Sequence, residues 1–395
     1  MTQPDWKQRS NDLLVKNLAL PQALMVRGKG CYLWDDSGKK YLDFLGGIAV
    51  NCLGHGHPQV VEALAHQSRT LDHISNYFVS QAQLDLAERL LQLAGANNGR
   101  VFFSNSGTEA NEAALKMSRL WGNPRGKHRV LAFDGAFHGR SMGALSLTSK
   151  EQYRLPFAPL PGGVEHLELS VAAAEEAFDD KVAAVFVEPI QGEAGVKELP
   201  QGLLRRLREL CDEHESLLIF DEVQTGVGRS GEWFAYQLEG VNPDAVTLAK
   251  GLGGGFPIGS LITFERAADL FYPGSHGTTF GGNPVASHVA LTVLDLIDSE
   301  GILENVKERS LQIRQGVRGL GLPEVDSVRG AGLLLGVQLS APVAVAVAQK
   351  AFESGLIINA AAPDVIRLVP PLVVTEEEVN EFLRLFRAAL ESHQA

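Results

Sequence analysis

Six short apolar runs, at residues 101–103, 130–133, 183–187, 217–220, 245–249 and 261–264, punctuate the middle of this chain, and polar or glycine-rich residues follow most of them. Runs this uniformly apolar suit strands buried on both faces, whereas a half-exposed strand alternates. Helical stretches separate them: between the runs at 183–187 and 217–220, Leu203, Leu204, Leu207, Leu210 and Cys211 fall on one helical face. Strands alternating with helices predict an α/β fold whose large domain is a mainly parallel sheet covered by helices. From about residue 283 the pattern shifts to longer helices and a hairpin-like stretch at 328–339, which predicts a smaller α+β domain. Early strands at 23–26 and 31–34, separated by Arg27-Gly28-Lys29-Gly30, are expected to join it. The expected division is residues 1–55 contributing to the small domain, 56–285 as the large ligand-binding domain and 286–395 as the C-terminal small domain. The length suffices for two cores at roughly 150 residues per domain.

Ligands of such sheets sit beyond the carboxyl ends of the strands, so the residues just after each run are where chemistry is expected. Lys250 ends the run at 245–249 and is followed by Gly251, Gly253, Gly254 and Gly255. Burial disfavours an ammonium ion and makes the amine a better nucleophile, while glycines let backbone approach a ligand. The ordinary alternative is a surface lysine with a buried stem. Asp221 ends the run at 217–220, where a protonated ring nitrogen would be a natural partner for its carboxylate. Ser106-Gly107-Thr108 opens an alanine-rich helix, so it reads either as an ordinary cap or as a phosphate site made of free amides and helix dipole. Phe137 reads as a core aromatic or as a ring stacked on a ligand. Each bland reading competes alone, but the four together at strand ends are hard to explain separately.

The remaining signals are weaker. A net charge of −12 without a Lys/Arg-rich run argues against nucleic-acid binding, and it would repel anionic substrates unless arginines gather at the site. Cys31, Cys52 and Cys211, scattered without CxxC spacing, read as buried apolar residues of a reducing, cytoplasmic compartment. No run approaches the roughly 20 apolar residues of a membrane span. His55-Gly56-His57-Pro58 lacks a third ligand at sensible spacing, so no metal is expected. Gly226-Val227-Gly228-Arg229-Ser230-Gly231 matches the GxGxxG of nucleotide-dependent oxidoreductases, a pattern too common to stand alone. Glu188, Asp221 and Glu222 would suit a glycosidase, but four tryptophans and 7% aromatic residues argue against a sugar cleft, and Lys250 would be idle.

Over nearly its whole length the chain resembles the class III, fold type I aminotransferases. The resemblance is carried by Phe44-Leu45-Gly46-Gly47-Ile48-Ala49-Val50-Asn51, Asn105-Ser106-Gly107-Thr108-Glu109-Ala110-Asn111-Glu112 and Phe137-His138-Gly139-Arg140. It continues through Glu188-Pro189-Ile190-Gln191-Gly192-Glu193, Asp221-Glu222-Val223-Gln224-Thr225-Gly226, Lys250 and His276-Gly277-Thr278-Thr279-Phe280-Gly281-Gly282-Asn283. It implies pyridoxal phosphate held as a Schiff base on Lys250, its ring nitrogen facing Asp221, its ring oxygen bonded by Gln224 and its ring stacked on Phe137. The phosphate would lie on the amides of Gly107 and Thr108, helped by Thr279 of a partner subunit, with Ser106, Glu222 and Val223 completing the cofactor set. Arg140 would clamp a substrate carboxylate. Arg367, in Ile366-Arg367-Leu368, would be masked by Glu193 until a second carboxylate arrives, and Thr278 would also contact substrate.

The resemblance further implies a homodimer with its site at the interface, and a place in arginine biosynthesis. The expected donor is N-acetylornithine, the acceptor 2-oxoglutarate and the second product glutamate. Ornithine enzymes of the family carry tyrosine where this chain has Ile48 and tryptophan where it has His138, which favours an acylated donor. Ornithine, succinylornithine, succinyldiaminopimelate and 4-aminobutyrate are the alternative donors, and an aminomutase of the same fold is a further one.

Overall fold

The computed structural model describes residues 5–392. Its centre is a seven-stranded sheet whose strands, in chain order, are Arg100–Ser104 (β1), Arg129–Phe133 (β2), Val164–Leu167 (β3), Val182–Val187 (β4), Leu217–Asp221 (β5), Ala245–Leu248 (β6) and Gly259–Thr263 (β7). Their order across the sheet is β1-β7-β6-β5-β4-β2-β3. Neighbours from β6 through β3 run parallel, and only β7 is antiparallel to both of its neighbours, β6 and β1. Every residue of β4, β5, β6 and β7 is buried, which is why their sequences show no alternation.

The helix Gly107–Gly122 crosses one face of this sheet and buries Ala110, Ala113, Ala114 and Met117. Small side chains there let the helix backbone lie close to the strands. The helix Leu203–Glu213 buries Leu203, Leu204, Leu207, Leu210 and Cys211, the five residues that share a face in the sequence. Each such burial contributes on the order of 1.5–3 kcal/mol as an upper figure.

The N-terminal strands pair with the C-terminal region. Strands Met25–Lys29, Tyr32–Asp35 and Lys40–Asp43 form a sheet completed by Leu356–Ile357 from the C-terminal region. A second, antiparallel sheet joins the hairpin Val325–Ala331 and Leu334–Leu339 to Val365–Leu368 and Asn359–Ala362. Helices Ile302–Gly319, Ala344–Glu353 and Glu376–Ser392 accompany these sheets.

Cys31, Cys52 and Cys211 are buried free thiols. His55 pairs through Nε2 with Asp43 Oδ2 at 2.8 Å, and His57 is the N-cap of the helix Pro58–Thr70, so this pair belongs to a turn before a helix. Among the described residues no helix is long and apolar enough to cross a membrane.

Candidate active site

Five of the parallel-running strands end on the same side, and the segments that follow β1, β2, β4, β5 and β6 close around a cleft of about 450 Å³. Asp221, the last residue of β5, forms its floor and is 3% exposed. Its Oδ2 accepts from Asn111 Nδ2 and from His138 Nδ1, both at 2.7 Å, and its Oδ1 accepts from the Val223 amide at 3.0 Å. Asn111 is locked in turn, because Thr247 Oγ1 donates to its Oδ1 at 2.9 Å and its Nδ2 also reaches the His138 carbonyl. A carboxylate oxygen only accepts, so the pairing places the His138 proton on Nδ1; Nε2 is buried without a partner. Three fixed donors leave Asp221 one direction to face, into the cleft.

Lys250 follows β6 at the head of a 3-10 turn, Lys250–Gly253, with a φ of 37° that L-residues rarely adopt. Such strain persists where surrounding structure imposes it, commonly at functional sites. Burial pushes the Lys250 ammonium below its ordinary value; Glu193 opposes that shift and Arg367 adds to it. The result is a lysine whose neutral, nucleophilic form is more accessible than that of a surface lysine.

Across the cleft, Ser106 caps the helix Gly107–Gly122 by accepting from the Glu109 amide at 3.3 Å. First-turn amides have no acceptor further back in the helix, so those of Gly107 and Thr108 are available to an anion. Gly107 is required there: a Cβ would stand 2.8 Å from Val223 Cγ1 and close the space between the helix start and the cleft floor. Thr108 Oγ1 accepts from the Arg140 and Ser141 amides, both at 3.2 Å, which ties the helix start to the loop carrying Phe137. Phe137 presents its ring to the cleft while its amide donates to Glu188 Oε2 at 3.0 Å.

Two arginines meet the electrostatic requirement of an acidic protein that binds anions. Arg367 is 1% exposed and donates to Glu193, with which it forms an ion pair, to the Gly192 carbonyl at 3.3 Å and to Gln224 Oε1 at 3.3 Å. Burial alone would raise the Glu193 carboxyl, but the adjacent Arg367 outweighs it and holds it below the ordinary value. Arg140 is exposed, lines the cleft, and stacks its guanidinium on Tyr153 at 3.6 Å from the ring centroid.

The cleft thus gathers Ser106 (through its cap), Gly107, Thr108, Phe137, Arg140, Glu193, Asp221, Val223, Gln224 and Lys250, with Arg367 behind Glu193. Four expected residues stand elsewhere. Glu222 turns away from the cleft, accepting from Thr225 Oγ1 and from the Tyr236 amide at 2.9 Å, because adjacent strand-end residues point to opposite sides. Burial pushes its carboxyl up to about 7, and its surroundings give it a structural role. Thr278 lies in a separate groove beside Phe102 and His276, its Oγ1 accepting from Asn105 Nδ2 at 3.2 Å. Thr279 faces the segment His73, Ile74, Ser75 and Asn76. Ile48 is exposed on a left-handed turn, with Ile48 at φ 64° and Ala49 at φ 62°, and Val50 lines the cleft in its place. That turn rests on the segment after Arg367, since a Cβ on Gly46 would stand 2.7 Å from the Val369 carbonyl oxygen.

Glu188, His138 and Asn111 are additions that sequence reasoning missed as site residues. Glu188 was legible as a strand-end acid; burial first, then Asp221, push its carboxyl well above the usual range. Asn111 is a polar amide among the buried alanines of its helix, and that is the signal that could have found it.

The loop from Gly226 to Gly231 gives no dinucleotide site. Arg229 from within it is buried and donates to the carbonyls of Leu333 at 3.0 Å and Pro370 at 2.6 Å, so the protein's own chain fills the space, and only a short 3-10 turn, Ala235–Leu238, follows in place of a phosphate-binding α-helix.

Residues 15–390 match the family model described as aminotransferase class-III. The chain belongs to the class-III aminotransferases. Like that family it is a pyridoxal-phosphate-dependent transaminase of fold type I. It is 51% identical to an acetylornithine aminotransferase of Streptomyces coelicolor over 97% of this chain and 94% of that one. Among solved structures it is similar to the N-acetylornithine aminotransferase of Stenotrophomonas maltophilia, with a TM-score of 0.85 and 39% identity over 98% of both chains. It is also similar to the ornithine aminotransferase of Toxoplasma gondii, with a TM-score of 0.94 and 33% identity over 100% of this chain and 96% of that one.

Proposed function

We propose that this aminotransferase moves the terminal amino group of N-acetylornithine to 2-oxoglutarate, yielding glutamate, as a cytoplasmic homodimer serving arginine biosynthesis. The observation that carries this reading is the unequal pair of arginines flanking Lys250: Arg140 free at the mouth, Arg367 buried and already paired with Glu193. One free arginine suits a donor with a single carboxylate beside its acylated end, and a second, releasable one suits a dicarboxylic acceptor. The acetylornithine enzymes at the identities given above support the donor.

The residues fit pyridoxal phosphate: free helix-start amides beside a glycine that admits no Cβ, a fixed acid on the floor, a ring at the wall and a lysine of lowered basicity. When bound, the cofactor supplies an aldehyde that condenses with primary amines and a ring that accepts the electrons of the C–H bond that breaks. Lys250 would hold it covalently and then move a proton to and from the amine-bearing carbon of the substrate. Asp221, held by Asn111, His138 and Val223, would keep a positive charge on the ring nitrogen. Gly107 and Thr108 would bind the phosphate, Phe137 would orient the ring, and Gln224 would bind its oxygen.

Pairing of two copies is supported by exposed aromatics: Tyr77, Phe78, Tyr272 and Phe280 are all exposed, and the His73 ring lies tilted against Phe280, with centroids 5.2 Å apart. Thr278 and Thr279 lie beside them, so Thr279 would serve the partner's phosphate and Thr278 its substrate. The domain reading follows the same lines, 56–285 carrying the cofactor and 1–55 folding with 286–395.

Two measurements test this. With 2-oxoglutarate as acceptor, kcat/KM for N-acetylornithine exceeds that for ornithine and 4-aminobutyrate by at least about tenfold, one good polar contact's worth; ornithine as the equal or better donor would contradict the assignment. Glu193→Gln leaves the Arg367 charge uncompensated, so the preference shifts toward glutamate over N-acetylornithine by about tenfold or more. An unchanged ratio would exclude masking. Because Arg367 holds the Glu193 carboxyl low, the pair is intact at neutral pH and is lost only as pH falls through that lowered value.

A further inference from the structure

Arg140 is an unusual binding arginine in that its side chain makes no ion pair or hydrogen bond among the described residues. What holds it is an aromatic face. Its guanidinium carbon stands 3.6 Å from the centroid of Tyr153 and 5.7 Å from that of Phe137. Tyr153 belongs to the short helix Glu151–Arg154, tied down by Arg154 Nη2, which donates to the Ser149 carbonyl at 3.1 Å. The same ring lies 5.7 Å from Lys150 Nζ, which itself reaches toward the Glu193 carbonyl at 3.4 Å. Tyr153 therefore has two cations within about 6 Å of its ring centroid, and the negative face of its ring offsets their repulsion.

A carboxylate partner would fix Arg140 equally well, but it would neutralise the charge and consume the N–H donors that a substrate needs. An aromatic face takes only the flat side of the guanidinium and leaves its edge donors free. An unrestrained exposed arginine would instead lose rotamer freedom on every binding event.

We propose that Tyr153 is a positioning residue for substrate recognition: its ring holds the Arg140 guanidinium flat at the mouth of the cleft, charged and with its donors unused. This rests on the reading of Arg140 as the carboxylate clamp, and the test separates the two.

In the holoenzyme, Tyr153→Leu raises KM for N-acetylornithine and 2-oxoglutarate, and the calorimetric Kd of glutarate, an unreactive dicarboxylate, by about 3- to 10-fold. Because the ring acts on binding alone, kcat stays within about twofold. Tyr153→Phe, which keeps the face and drops the hydroxyl, restores the wild-type values. In an Arg140→Gln background Tyr153→Leu adds nothing further. Tyr153 is half-exposed, so these variants fold, and unchanged thermal midpoints check it. Unchanged KM and glutarate Kd in Tyr153→Leu, with Arg140→Gln weakened, overturn this proposal alone. A Tyr153→Phe variant as weak as Tyr153→Leu also overturns it. Arg140→Gln binding glutarate as tightly as wild type removes the clamp and this proposal together.

Discussion

Lys250→Ala lowers kcat by about ten-thousandfold, the upper end of what a positioned acid–base group contributes. The expectation is this large because one amine has two duties, holding the cofactor and moving the proton, and among the described residues no other lysine lines the cleft. Arg367 and Arg140 remain, so substrate binding survives, and KM changes far less than kcat. The fold survives as well: deleting a buried amine of lowered basicity removes a desolvated charge. Steady-state kinetics with a thermal melt of the same sample checks both halves. Retention of more than about a tenth of kcat would place the proton transfer elsewhere.

Asp221→Ala has the second largest effect, about 10²- to 10³-fold in kcat, the scale for losing one preorganised charge partner in a water-poor site. It also destabilises the protein. Asn111, His138 and Val223 all donate to this carboxylate, and each buried donor left without an acceptor costs about 1–3 kcal/mol. Asp221→Asn separates the two effects. It keeps the shape and part of the acceptor capacity, so its melting point falls less than that of Asp221→Ala, whereas its kcat falls as far, because only the charge matters to the ring nitrogen. An Asn variant with near-wild-type turnover would show that the carboxylate serves the fold alone.

Much of this architecture was readable from residues. Uniformly apolar runs announced strands covered on both faces, and the residues after them marked the cleft because a parallel sheet delivers its strand ends to one side. Lys250, Asp221 and the Ser106-Gly107-Thr108 turn all lie where that logic placed them. The antiparallel direction of β7 was not readable, since a buried strand looks the same either way round. Glu222 was misplaced because neighbouring strand-end residues face opposite sides, and the sequence alone does not say which side holds the ligand. The exposed position of Ile48 was not readable, because a left-handed turn is costly for a β-branched residue, roughly 1–2 kcal/mol, and is imposed by the packing of Gly46 on Val369. Thr278 and Thr279 lie away from this chain's own cleft. Asn111, Glu188 and Tyr153 act through contacts that only the tertiary fold creates.

The measurement that bears most directly on the account is borohydride treatment of the purified, cofactor-loaded protein, followed by peptide mass analysis. The account predicts bleaching of a visible absorbance band and a single pyridoxyl adduct on the peptide that contains Lys250. A colourless protein after loading, or an adduct confined to any other lysine, would contradict it.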